Sequence, residues 1–122
     1  MRFRVFDRHE KKYPEQGKFL MDALGILHIF DYKYNMLKNL KDTDRYVVEF
    51  STGLKDKNEV EIYEGDRIKS NCFAVNCTVI FQGGGFTLAE GETSYNLESN
   101  FIDSDGYKIN DIKIIGTIHD KD

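Results

Sequence analysis

Four carboxylates crowd into a short stretch of this chain, at Glu59, Glu61, Glu64 and Asp66. Oxygen donors at such density are what a hard cation takes. The spacing is not that of an EF-hand loop, however, and Lys55, Lys57, Arg67 and Lys69 interleave with the acids. The pattern therefore reads as a solvated face of mixed charge. Asp66 suits a local role, because directly after Gly65 its carboxylate can accept backbone N–H bonds and fix the turn that launches the next strand. Gly83-Gly84-Gly85 invites comparison with phosphate-cradling loops, which run from a strand into a helix and, in the P-loop, add a Lys-Ser/Thr pair. Here Phe86-Thr87-Leu88 follows, a strand-like run with no nearby lysine, so the glycines read as a hairpin turn.

His9, His28 and His119 have no companions at metal-ligand spacing. No serine lies in a G-x-S-x-G context, and neither Cys72 nor Cys77 sits in a nucleophile signature. Within one strand the C-x4-C separation sends the two thiols to opposite faces, against a local disulfide and in favour of reduced packing cysteines. One pattern suits binding. In Tyr32-Lys33-Tyr34, followed by Lys38 and Lys41, aromatic faces for stacking alternate with cations for phosphates, the arrangement of single-strand nucleic-acid binders. A half-exposed amphipathic segment has the same composition, and the formal charge of −4 opposes a broad attraction to nucleic acid or to an anionic membrane. The residues thus point to a protein that is not an enzyme and uses no cofactor or metal, with nucleic-acid contact through Tyr32, Lys33 and Tyr34 as the alternative and a small enzyme, its site assembled from residues scattered in sequence, as the second.

The elements that would position these groups are short strands. A chain of 122 residues suits one domain, or one with a small companion, and buries roughly two-thirds of the surface its unfolded form exposes. No apolar run approaches the roughly 20 residues that cross a bilayer, and residues 2–7 alternate like a strand rather than a secretory signal. A cytoplasmic location is the expectation. Further strands are predicted at Phe19-Leu20-Met21, between Ala23 and Tyr34, at residues 45–50, from Arg67, at residues 74–82, from Phe86 and at residues 113–118. Val75, Cys77, Val79 and Phe81 should share one face. Asn35 to Asp44 is polar, and Met36, Leu37 and Leu40 suit one or two helical turns. A polar loop leads to Asn100-Phe101-Ile102, and Asp103-Ser104-Asp105-Gly106 reads as a turn. Turn signals at short intervals after Gly65 predict a small barrel or a strongly bent sheet. The boundary falls where the strand at residues 45–50 ends, giving residues 1–51 and 52–122.

The stretch Thr52-Gly53-Leu54-Lys55-Asp56-Lys57-Asn58, followed by Glu61-Ile62-Tyr63-Glu64-Gly65-Asp66, resembles the hallmark of the YopX family, small proteins of phages and prophages of Gram-positive bacteria. Arg4-Val5-Phe6-Asp7 is similar to the family's Arg-x-Trp-Asp element, and Ile115-Gly116-Thr117-Ile118 to its closing Ile-Gly-Asn-Ile strand. Two positions depart from the pattern. Glu59 stands where the family usually has glycine, so a turn needing positive φ should place Asn58 in the left-handed region, or the chain should adopt another turn type. Arg67 replaces an aliphatic residue. The resemblance implies an SH3-like barrel in the C-terminal part, after a smaller and mainly β N-terminal part with minor α content. It implies no established activity, and no catalytic or ligand residue carries over. Thr52, Gly53, Leu54, Asp56, Asn58, Ile62, Tyr63, Glu64, Gly65 and Asp66 then serve as turn and packing residues. The expectation is a non-enzymatic interaction module with a protein partner from host or phage, or with a second copy of itself.

Overall fold

Alternation of apolar and polar residues becomes strands over more than half of the described residues. The computed structural model describes residues 2–41, 43–71, 76–82, 85–90, 93–96 and 111–120. Its strands are β1 (Phe3–Asp7), β2 (Phe19–Met21), β3 (Leu27–Asp31), β4 (Met36–Asn39), β5 (Tyr46–Lys55), β6 (Glu61–Tyr63), β7 (Asp66–Lys69), β8 (Cys77–Gln82), β9 (Gly85–Glu90), β10 (Thr93–Asn96) and β11 (Lys113–Thr117). They form three sheets, ordered β1-β5-β6, β2-β3-β4 and β10-β9-β8-β7-β11. The chain divides into two compact units, an N-terminal one of Phe3–Glu49 and a C-terminal one of Phe50–Asp122 with Met1–Arg2.

In the N-terminal unit, Val5, Phe19 and Leu27 form the buried core, with Phe3, Ile29, Leu40, Tyr46 and Val48 packed around them. Register explains the choice. Phe19 lies opposite Ile29 and Met21 opposite Leu27, so these residues share the inward face of the β2-β3-β4 sheet. Leu20, His28, Phe30, Leu37 and Asn39 take the other face. Glu49 is buried and accepts from Arg4 Nε at 2.8 Å and from the Tyr13 hydroxyl at 2.7 Å. The Arg4 guanidinium in turn lies over the Tyr13 ring at 4.5 Å.

The expected helical turns at Asn35–Asp44 are absent: β4 occupies Met36–Asn39, and the only helical segment among the described residues is a 3-10 turn at Gln16–Lys18. The reason is local. The Asp31 carboxylate accepts the N–H groups of Lys33 at 3.0 Å and Tyr34 at 3.4 Å, and Asn35 takes φ 51°. That closes a hairpin which sets Met36 against Asp31, and the chain must continue as a strand.

The C-terminal unit packs Ile62, Ile68, Cys77, Val79, Leu88 and Ile112 into a dry core. Ile68 points inward between exposed Arg67 and Lys69, and Val79 lies opposite Leu88. Each such side chain contributes roughly 1.5–3 kcal/mol on burial. Phe81 keeps the face of Cys77 and Val79, since it pairs with Phe86 in the same register that sets Val79 against Leu88, but it lies at the exposed end of that face. It is exposed, with its ring 5.1 Å from that of Phe86, while Cys77 and Val79 are buried and Val75 lies outside the described residues.

The predicted turn in the glycine run agrees with a hairpin that pairs Gln82 with Gly85. The readings at residues 100–102 and at Asp103-Ser104-Asp105-Gly106 lie outside the described residues. The five-stranded sheet is antiparallel and open among the described residues, with β10 and β11 at its two ends and no pairing that closes it into a barrel.

β5 does not end at residue 50. It runs on through Thr52-Gly53-Leu54 to Lys55. Ser51 pairs with Tyr63 and Lys55 with Glu61, so the β5 side holds extra residues, and Gly53 at φ 79° absorbs the bulge. A turn-rich composition here signals a bulged strand rather than a loop. Among the described residues no helix is long and apolar enough to cross a membrane.

Candidate functional site

The hallmark segment lies in the C-terminal unit, and Thr52, Asp56, Glu64 and Asp66 bond to the backbone. Asp56 Oδ1 accepts the N–H of Asn58 at 2.8 Å and of Val60 at 3.0 Å, and Oδ2 accepts the N–H of Ile114 at 3.2 Å. Burial pushes its carboxyl pKa up, but the N–H donors of Val60, Ile114 and Asn58 outweigh that and hold it below the usual value. The left-handed residue of this turn is Glu59, at φ 64°, and not Asn58. Glutamate thus occupies the position where glycine would be unstrained. Thr52 donates to the Ile62 carbonyl at 2.7 Å and accepts from the Leu54 N–H at 3.1 Å. Leu54 packs against the core that holds Ile62, and the Gly65 N–H donates to the Val79 carbonyl at 2.7 Å.

The four crowded acids go separate ways. Asp66, 1 % exposed, accepts the Tyr63 N–H at 2.8 Å, the turn-fixing bond its position predicts. Glu64 Oε1 accepts the Phe50 N–H at 3.0 Å. Glu61 pairs with Arg2 at 2.9 Å, and its pKa is lowered first by the Tyr63 side chain and further by Arg2. Glu59 faces Lys55 at 3.9 Å. No three of His, Cys, Asp and Glu gather as a metal site among the described residues. The histidines stay apart as well: His28 Nε2 meets Asp22 Oδ2 at 3.0 Å, and His119 donates its N–H to Thr117 Oγ1 at 3.1 Å. Cys77 is buried, and Cys72 lies outside the described residues.

The N-terminal unit is different. Tyr32, Lys33 and Tyr34 occupy the β3–β4 turn, with Tyr32 71 % and Tyr34 64 % exposed. Lys33 Nζ lies 5.3 Å from the Tyr34 ring centre, and the Tyr32 ring stands edge-on to Phe30 at 4.7 Å. Tyr32 also lines a cavity of about 440 Å³. Ile29, Leu40 and Tyr46 give it apolar wall, and Lys18, Lys38 and Arg45 give it positive charge. Among the described residues the acid in its lining is Asp31, whose Oδ1 already holds the hairpin turn.

Arg45 is fixed by two bonds to Asp7, Nε to Oδ1 and Nη2 to Oδ2, each 2.9 Å, and stacks over Tyr46 at 5.2 Å. The guanidinium in turn holds the Asp7 carboxyl at about 2. Lys18, Arg45 and Tyr46 escape a reading of the sequence, because only the pairing of β2, β3 and β4 and the entry of β5 bring them together with Lys38. Charge follows the division into units. Phe3–Glu49 carries nine Lys and Arg against eight Asp and Glu, while the remainder carries eight against thirteen. The negative charge of the chain resides in the C-terminal unit.

On the opposite side of the β2-β3-β4 sheet, Leu20 and Leu37 are about half exposed, and all four residues of the edge strand β4 face solvent.

The profile of the family described as YopX protein matches residues 2–122. The chain belongs to the YopX family. The hallmark, the N-terminal Arg-Val-Phe-Asp element and the closing Ile-Gly-Thr-Ile strand all fall within the match. Among solved structures, protein yopX from Bacillus subtilis superposes with a TM-score of 0.55 at 16% identity, over 96% of this chain and 91% of that one. Protein EF1440 from Enterococcus faecalis gives a TM-score of 0.57 at 25% identity, over 96% and 92% of the two chains. No curated protein matches the chain. The YopX fold is thereby shared at low sequence identity.

Proposed function

We propose that this YopX-family chain is a non-enzymatic interaction module that takes up an extended segment of a partner protein along β4. One observation carries this reading: β4 is a sheet edge whose four residues are all exposed, and two of them, Met36 and Leu37, are large and apolar. Natural edges are usually blunted by charge, bulges or cover, and Lys38 is the single charge here. An added strand would satisfy the outward N–H and C=O groups, while Leu37 offers apolar contact for its side chains. The buried acids Asp7, Glu49, Asp56 and Asp66 are engaged by arginine, hydroxyl or backbone donors, which favours structural roles over acid–base chemistry. The family resemblance adds the setting: a phage or prophage gene product acting in the cytoplasm of a bacterial host. We also keep the SH3-like description for the C-terminal unit, whose five antiparallel strands suit that scaffold.

The test is capture of partners from host cells on the immobilised chain and on a Met36→Lys, Leu37→Lys variant, with size-exclusion chromatography and light scattering alongside. Loss of a bound partner in the variant, with its melting temperature unchanged, is the expected result. Undiminished capture by the variant overturns docking along β4. A concentration-dependent dimer that the variant abolishes identifies a second copy as the occupant.

A further inference from the structure

The cavity beside β4 has a lining of two kinds, and the two kinds match the two halves of one class of ligand. We propose that it binds a nucleoside phosphate, with the base against Tyr32 and Tyr46 and the phosphate among Lys18, Lys38 and Arg45. At about 440 Å³ the cavity lies within the range of small-molecule sites. Lys18 and Lys38 form no ion pair with any described residue. Asp7 holds the Arg45 guanidinium in one plane through Nε and Nη2, leaving Nη1 for an incoming oxygen. That is preorganisation, because the arginine need not be ordered when ligand arrives. A bare inorganic anion would leave the wall of Ile29, Leu40 and Tyr46 without a partner, whereas a planar base covers it. The overall acidity of the chain is no obstacle, since the unit that carries the cavity has a small excess of positive charge.

Two sources supply this chemistry, a free nucleotide and a nucleotide within a single strand. The experiment therefore uses two probes: AMP, followed by isothermal titration calorimetry, and a fluorescein-labelled oligothymidylate, followed by anisotropy at about 50 mM and about 200 mM salt. The variants are Lys18→Ala with Lys38→Ala, Tyr32→Ala, and Lys69→Ala in the C-terminal unit as the control. All four residues lie at least partly at the surface, and circular dichroism confirms that the variants fold.

Binding of at least one probe is expected, weakened about tenfold or more by the lysine pair and several-fold by Tyr32→Ala. For the oligonucleotide, the salt dependence should also become shallower by about one ion per lysine removed. Lys69→Ala should leave affinity unchanged. Saturable AMP binding that displaces the oligonucleotide supports the site and assigns a free nucleotide. Oligonucleotide binding without AMP binding supports it and assigns a single strand. Absence of binding by both probes at low salt overturns the proposal, as does an equal loss from Lys69→Ala.

Discussion

The turn from Asp22 to Ile26 in the N-terminal unit and the turn from Asp56 to Val60 in the C-terminal unit close with the same hydrogen bonds. In each, Asp Oδ1 accepts the N–H groups two and four residues on: Leu24 at 2.9 Å and Ile26 at 3.0 Å, Asn58 at 2.8 Å and Val60 at 3.0 Å. The Asp N–H donates to the carbonyl four residues on, at 3.0 and 2.8 Å. The third residue on donates back to the Asp carbonyl at 3.0 Å in both turns, from the left-handed region. That residue is Gly25 in one turn, at φ 82°, and Glu59 in the other, at φ 64°. The aspartate and its bonds are common to both turns, whereas glycine is dispensable. What separates them is the second carboxylate oxygen. Asp22 Oδ2 meets His28 near the surface, while Asp56 Oδ2 reaches the N–H of Ile114 on β11. One turn is local, and the other ties two distant stretches of one unit together.

The largest break in this pair should come from Asp56→Ala. It orphans three N–H groups at a buried position and should cost about 3 kcal/mol in urea denaturation. Asp22→Ala, at a more exposed turn, should cost about 1 kcal/mol. Equal losses would mean that the bond to Ile114 adds nothing.

Acid should follow. His28 first, then the Ile26 and Leu24 N–H groups, hold the Asp22 carboxyl below its usual value, Asp56 is lowered as well, and Asp7 lies at about 2. A folded-state pKa below the unfolded value gives stabilisation that is complete above the unfolded pKa of about 4 and is lost as pH falls through the folded one. Stability should therefore be level above about pH 4 and decline towards about pH 2, and Asp7→Asn should flatten part of that decline. A pH series of denaturation curves reads this directly.

Next is Gly25→Ala, which forces a side chain into the left-handed region and should destabilise by roughly 1–2 kcal/mol. The smallest effect is the mirror of that one. Glu59→Gly should raise stability by about 0.5–1 kcal/mol, since relief of left-handed strain exceeds the added entropy of the unfolded chain. A loss on Glu59→Gly would show that the glutamate side chain itself supports the turn.

These turns also mark where reading residues in order succeeds. Alternation locates β1, apolar runs mark β2 and β11, and a period of two among β-favouring residues selects β3, because these signals lie within the strands themselves. Asp66 signals its own turn, since donor and acceptor lie three residues apart. The failures share a cause. Gly53 resembles a turn residue until β6 is set beside it and reveals a bulge. Met36, Leu37 and Leu40 have helical spacing, and the Asp31 turn overrides it. Asp56 is visible as a turn residue, but not its bond to β11. Tyr32 can be read as a stacking residue from Lys33 and Tyr34, yet the cations nearest it in the cavity, Lys18, Lys38 and Arg45, come from separate elements. Interactions close in sequence leave a local pattern, and those made by pairing of strands do not.

Cys77 has a use that its packing role conceals. It lies opposite Ile68 in the β7–β8 pairing and is 4 % exposed, so a thiol reagent can reach it only when that part of the sheet opens. With Cys72→Ser removing the other cysteine of the chain, the labelling rate at Cys77 would report how often the β7–β8 pair opens under native conditions, well before any denaturation curve begins to move.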